Sequence, residues 1–154
     1  MKETDAAWLA GYIDGDGCIT IGGTGRRYRS LLLVIDSTDI ELLHHVMEIA
    51  GGYLQKKKVY KSHHRQGWTW RLLGGSNITA ILTAVYPHLR CAFKKERARM
   101  VIEEWAACTP RNGHYTEDIR VRKVEFERKF LVLGEGRGKR SLSNGKDKTT
   151  FGVS

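Results

Sequence analysis

The sequence has no run of about 18 apolar residues, the length a membrane-spanning helix needs. Its opening, MKETDAAWLAGYIDGDG, brings acids where a signal peptide would place a long apolar core. Cysteine is scarce, with Cys18, Cys91 and Cys108 as the 3 in 154 residues. Such an odd, widely spaced set gives neither a zinc-ligand pattern nor a disulfide framework. These absences argue against a membrane or secreted protein. They lead us to expect free thiols in an intracellular, reducing compartment, the cytoplasm or a DNA-containing organelle. Cys18 and Cys91 have apolar neighbours in sequence and are expected to pack inside.

Negative charge is also missing, and unevenly. No Asp or Glu occurs between Glu48 and Glu96, a stretch that holds Lys56, Lys57, Lys58, Lys61, Arg65, Arg71, Arg90, Lys94 and Lys95. A second acid-free stretch, between Asp16 and Asp36, holds Arg26, Arg27 and Arg29. The net charge is +9, and its segregation points to a polyanionic partner, because lysine and arginine on phosphates release counterions from nucleic acid. The six histidines, His44-His45 and His63-His64 among them, show no metal-binding spacing and are expected at the surface or near phosphates.

The length suits one domain. TDAAWLAGYID reads as a helix, with Thr4 as its cap and Gly11 and Gly15 four apart on one face. Asp16-Gly17 is expected to stop it, the glycine taking the left-handed conformation. CITIGG and YRSLLLVI read as strands by alternation. STDIELLHHVMEIAGG reads as a helix with a Thr38–Glu41 capping box and a Gly51-Gly52 stop. YLQKKKVYKS and GWTWRLLGG give two more strands. Ser76 is expected to cap the next helix, NITAILTAVYPHL. KKERARMVIEEWAAC follows, with Met100, Val101, Trp105 and Cys108 as its buried stripe. Thr116 opens a last helix, EDIRVRKVEFERKFLVL. From Gly134 the composition turns to Gly, Ser, Lys and Thr, which predicts a flexible basic tail over 134–154. The resulting order is α-ββ-α-ββ-α-α, with Trp8, Trp68, Trp70 and Trp105 at core or interface positions.

The chemistry concentrates in LAGYIDGDG, Leu9 to Gly17. Two glycines four apart allow another helix to approach closely. Asp14 and Asp16 lie at the helix C-terminus, where the dipole disfavours carboxylates. Such a costly placement suits a hard divalent cation. An EF-hand frame fails, since Ile19 stands where its glycine is needed and Gly25 where its glutamate is. A tight turn of ordinary Asp and Gly residues is the structural alternative.

This stretch resembles the signature of the LAGLIDADG homing endonucleases at Leu9, Ala10, Gly11, Ile13, Asp14, Asp16 and Gly17. The resemblance covers roughly Thr4 to Cys108, and a single motif is similar to the homodimeric subclass. It implies an α+β fold: an α-ββ-α-ββ-α core whose curved four-stranded antiparallel sheet lies along double-stranded DNA, with helices packed on one face. The endonuclease domain would occupy 1–133, with a core of about 4–108 and a helical extension of about 116–133. Leu9, Gly11, Tyr12 and Gly15 would line a two-fold homodimer interface. Asp16 of each chain, with the Gly15 carbonyl, would bind Mg2+ or Mn2+, and Ca2+ would bind without supporting cleavage. No small-molecule cofactor is implied.

By the same resemblance Lys94 would lie near the scissile phosphate. Where the family often carries a water-holding glutamine, this chain has Asp36 and Ser37, of which Ser37 is taken as the site residue. Alternation places Thr20, Thr24, Tyr28, Ser30, Gln55, Lys57, Thr69 and Arg71 on the DNA side, with Arg71 and Lys57 as base readers. Cys18, Gly22, Leu32, Val34 and Val59 fall on that side too, and a bulge in the third strand would shift its register. Arg26, Arg27, Lys61 and Arg65 are expected on phosphates. The implied activity is site-specific, metal-dependent hydrolysis of both DNA strands in a long, pseudo-palindromic target. The competing function is a non-cleaving nucleic-acid binder on the same scaffold, an RNA maturase or a transcriptional regulator.

Overall fold

The computed structural model describes residues 1–23 and 25–135. Thr24 and nearly all of the proposed tail, 136–154, lie outside the described residues. The elements run α1 (Glu3–Asp16), β1 (Gly17–Gly22), β2 (Ser30–Ser37), α2 (Ile40–Ala50), β3 (Tyr53–Lys56), β4 (Trp68–Leu73), α3 (Gly75–Val85), a short 3₁₀ turn (Tyr86–His88), α4 (Ala92–Cys108) and α5 (Glu117–Val132). The strands form one antiparallel sheet in the order β1-β2-β4-β3. No helix among the described residues is long and apolar enough to cross a membrane.

Alternation decides which face of the sheet is covered. Ile19 and Ile21 of β1, Leu31, Leu33 and Ile35 of β2, and Trp70 and Leu72 of β4 are all buried on the helix-covered face. They share one core with Leu9, Ala10 and Ile13 of α1, Leu43 and Val46 of α2, Ile78, Leu82 and Val85 of α3, and Met100, Val101, Trp105 and Cys108 of α4. The α4 stripe is the one its spacing predicts. Burying a Leu- or Ile-sized side chain contributes about 1.5–3 kcal/mol, so this shared layer holds the helices on the sheet. Phe126 and Phe130 extend the core to α5, whose N-cap is Thr116, its hydroxyl accepting from the Ile119 N–H at 3.4 Å.

Several local expectations need correction. α1 begins at Glu3 after Lys2, and Thr4 lies inside it rather than at its cap. Gly17 is extended (φ −83°, ψ 156°), not left-handed, so helix passes directly into strand. A glycine is needed there for space, since a Cβ would lie 2.6 Å from the Ile13 Cα. The Thr38–Glu41 capping box does not form: Asp39 holds the cap position of α2, and its N–H donates to Ser37 Oγ at 3.0 Å. β3 ends at Lys56 and pairs with β4 in an unbroken register, without a bulge. α3 starts at Gly75 behind Gly74 (φ +91°), so Ser76 is not its cap. Cys18 faces away from the core and is exposed, and Cys91 is half-buried, so of the three thiols only Cys108 is packed inside.

Candidate active site and nucleic-acid interface

The C-terminal end of α1 meets the start of α4, and charged groups join the two. Asp14 Oδ2 accepts from the Arg90 N–H at 2.7 Å, and Oδ1 from the Cys91 N–H at 3.1 Å. In return Lys94 Nζ donates to the Ile13 and Asp14 carbonyls, both at 2.7 Å. Each group answers a helix end: a carboxylate meets amides ahead of α4, and an ammonium meets the last carbonyls of α1. Asp16 has no such role. Its carboxylate is exposed and makes no hydrogen bond or ion pair among the described residues.

Gly11 and Gly15 are exposed on the same side of α1, and a Cβ built on either would have no neighbour within 4 Å. Leu9, expected beside them, is wholly buried in the chain's own core and presents no side chain outward. Tyr12 is half-buried against Trp8, with ring centroids 5.4 Å apart. Burial raises its phenol above the ordinary value, a shift that Ser37 opposes. Ser37 lies at an odd position of β2, on the helix-covered side. The open-face residue at this end of β2 is Asp36 instead.

The donor set near Asp16 suits a hard cation but does not complete its shell. Such ions take six or more oxygens, and Asp16 with the Gly15 carbonyl supplies only a few. No group of three or more His, Cys, Asp or Glu that could hold a metal gathers among the described residues. A metal here needs oxygens from outside one chain.

The register places Cys18, Thr20 and Gly22 of β1 on the open face with Ser30, Leu32, Val34 and Asp36 of β2, Tyr53 and Gln55 of β3, and Thr69, Arg71 and Leu73 of β4. Thr20, Ser30, Gln55 and Arg71 thus lie on the face expected for them. Thr69 shares that register but is only 6% exposed, and its hydroxyl donates to Asp36 Oδ1 at 2.5 Å. Lys57 follows β3, with Nζ donating to Asp36 Oδ2 at 2.9 Å. Val59 belongs to the exposed segment beyond β3. Arg26 and Arg27 are exposed in the β1–β2 connection, as are Lys61 and Arg65 between β3 and β4. Tyr28 is half-buried and stacked on Tyr115, centroids 4.3 Å apart.

Sequence reasoning missed three open-face residues, of which Leu73 closes β4 at 46% exposure. Tyr53 is 43% exposed at the edge of the sheet, and alternation back from Gln55 would have found it. Asp36 was read only as a stand-in for a glutamine. Burial alone would raise its carboxyl, but hydrogen bonds from Thr69 and Lys57 and the charges of Lys57 and Arg71 outweigh it and hold the group below the ordinary aspartate value.

A family model described as a LAGLIDADG-like domain matches residues 3–85, more than half of the chain. Among solved structures, the homing endonuclease I-CvuI in complex with the I-CreI target superposes with a TM-score of 0.68 at 21% identity, over 90% of this chain and 87% of that one. The archaeal intron-encoded homing endonuclease I-Vdi141I, complexed with DNA, gives a TM-score of 0.68 at 15% identity, over 88% and 87%. The LAGLIDADG homing endonuclease I-SmaMI bound to cleaved DNA gives 0.58 at 16%, over 87% of this chain and 44% of that one. No curated protein matches by sequence.

Proposed function

The chain belongs to the LAGLIDADG family, and on that premise we propose that it is a site-specific, metal-dependent DNA endonuclease that acts as a homodimer on a long, pseudo-palindromic site. One observation carries the reading: the fold binds Asp14 and Lys94 into the joint between α1 and α4 and leaves the Asp16 carboxylate free beside them. A free carboxylate at the negative end of a helix dipole is unfavourable for stability, and metal binding gives it a use. The bare Gly11–Gly15 face of α1 supports close approach of the same helix from a second copy. Two copies would bring two Asp16 carboxylates together and supply the oxygens one chain lacks.

Asp16 and the Gly15 carbonyl would hold Mg2+ or Mn2+, and Ca2+ would bind without turnover. The cation would supply an activated water and charge stabilisation for the leaving oxygen. Lys94 sets the end of α1, and its third hydrogen remains for a phosphate oxygen. Arg26, Arg27, Lys61 and Arg65 hold the DNA backbone, and the open sheet face reads base edges in the major groove.

The test is cleavage of a randomised DNA library with magnesium and sequencing of the cut ends. Asp16→Asn is expected to lower cleavage by about 10²–10³-fold or more while DNA binding in calcium persists. Equal loss of both would refute the metal-binding role. Uncut but tightly bound nucleic acid with the unaltered protein would favour the maturase or regulator reading. In light scattering the unaltered chain should be a dimer and Gly11→Leu a monomer, because the larger side chain excludes the facing helix.

A further inference from the structure

Among the described residues of the open sheet face, Asp36 is the one carboxylate. Its neighbours there are neutral or basic, as a polyanion-binding face requires. An anion placed toward DNA repels phosphate, so its presence needs a reason. Its ion pair gives little of one. The Lys57–Asp36 ion pair has side chains 47% and 52% exposed, and such pairs contribute little.

The geometry instead builds a recognition pair. Asp36 is fixed by the buried Thr69 hydroxyl on Oδ1 and by Lys57 on Oδ2. Lys57 is fixed in turn, because its N–H donates to the Gly67 carbonyl at 2.9 Å and its carbonyl accepts from Gln66 Nε2 at 2.8 Å. Each carboxylate oxygen accepts more than one hydrogen bond, and an ammonium has three hydrogens, so both groups keep capacity toward solvent. The result is an acceptor beside a donor at 2.9 Å, held before any ligand arrives. Its carboxyl stays ionised at neutral pH, so it acts only as an acceptor.

In the major groove a cytosine–guanine pair offers the cytosine N4 hydrogens beside the guanine O6, with guanine N7 next. An aspartate accepts from the first, and a lysine donates to the other two. Resting on the DNA-endonuclease reading above, we propose that Asp36 and Lys57 together read one cytosine–guanine pair in each half of the target, Asp36 on cytosine N4 and Lys57 on guanine O6. Asp36 is thereby a specificity-determining residue. The ladder ends at Gly17 paired with Ile35, so Asp36 sits one position beyond it, at the Asp16 end of the sheet. The pair it reads lies on the central side of each half-site.

The experiment is selection of bound duplexes from a randomised library in calcium, with sequencing, for the unaltered protein, Asp36→Ala and Asp36→Asn. The unaltered protein should select cytosine–guanine at two symmetry-related positions, preferred on the order of ten- to a hundred-fold. Asp36→Ala should erase that preference and leave the others intact. Asp36→Asn should move it toward adenine, which an amide reads through N6 and N7. Unchanged base preferences in both variants, or affinity lost equally for all sequences, would overturn the assignment while leaving the DNA-binding reading in place. Failure of the unaltered protein to retain any duplex would overturn both.

Discussion

The end of α1 and the seam between α4 and α5 use charge in opposite ways. In the seam, cations are buried against carbonyls, a hydroxyl and rings. Arg97 is 8% exposed, donates to the Ile19 carbonyl at 2.7 Å and the Phe130 carbonyl at 3.4 Å, and lies over the Phe93 and Phe130 rings. Lys123 is fully buried, donates to Thr109 Oγ1 at 2.9 Å, and sits 3.5 Å from the Trp105 ring centroid. At the end of α1, Asp14 is taken up by two amides and Lys94 gives two of its hydrogens to carbonyls, but Asp16 is left over. A charge absorbed by carbonyls, amides and rings belongs to the fold. A charge that the fold leaves without a partner is available for chemistry.

The strongest way to break this contrast is Arg97→Ala. It orphans two carbonyls and opens a gap between two rings, and should cost about 3–5 kcal/mol in urea unfolding. A loss below about 1 kcal/mol would mean that α5 is not tied to β1 through this side chain.

Next is Asp14→Ala, which leaves the Arg90 and Cys91 amides without their carboxylate and should cost about 1–3 kcal/mol. Asp16→Asn, measured beside it, should leave stability unchanged or raise it by about 0.3–1 kcal/mol, since it removes a negative charge from a helix C-terminus. Equal destabilisation by both would erase the distinction between the two aspartates.

The smallest effect is at Lys123. Burial lowers its pKa from the ordinary lysine value of 10.5. Between the lowered value and the ordinary one the unfolded chain holds a proton that the folded chain has lost, so stability rises with pH across that window. Lys123→Met should be neutral or stabilising by about 1 kcal/mol at neutral pH. Its advantage should shrink as pH approaches 10.5, which thermal melts at stepped pH would measure. An advantage independent of pH would place its origin in packing rather than in the buried charge.

The sheet was legible because alternation is a two-residue signal that burial enforces: with Thr20, Ser30 and Arg71 on the open side, Ile19, Ile21, Leu31, Leu33, Trp70 and Leu72 all turn inward. The motif was legible because the fold leaves Gly11, Gly15 and Asp16 all bare. What escaped depended on contacts between segments far apart in the chain. Neither the Asp14 bond to Arg90 nor the burial of Lys123 by Trp105 and Thr109 has a local signature. Cys18 was read both ways, inside from its apolar neighbours and on the open side by alternation, and strand periodicity set it opposite Ile19. Capping failed as a guide at Thr38 because Ser37, one residue earlier, already bonds the Asp39 amide.

The joint at the end of α1 also bears on how little of this polypeptide could suffice. Residues 3–85 carry the motif and every strand among the described residues, but Arg90, Cys91 and Lys94 all come later. On the ribosome, the Asp16 end of α1 stays unbraced until those three emerge. A fragment trimmed to the matched portion would keep the recognisable signature and lose the brace that aims it.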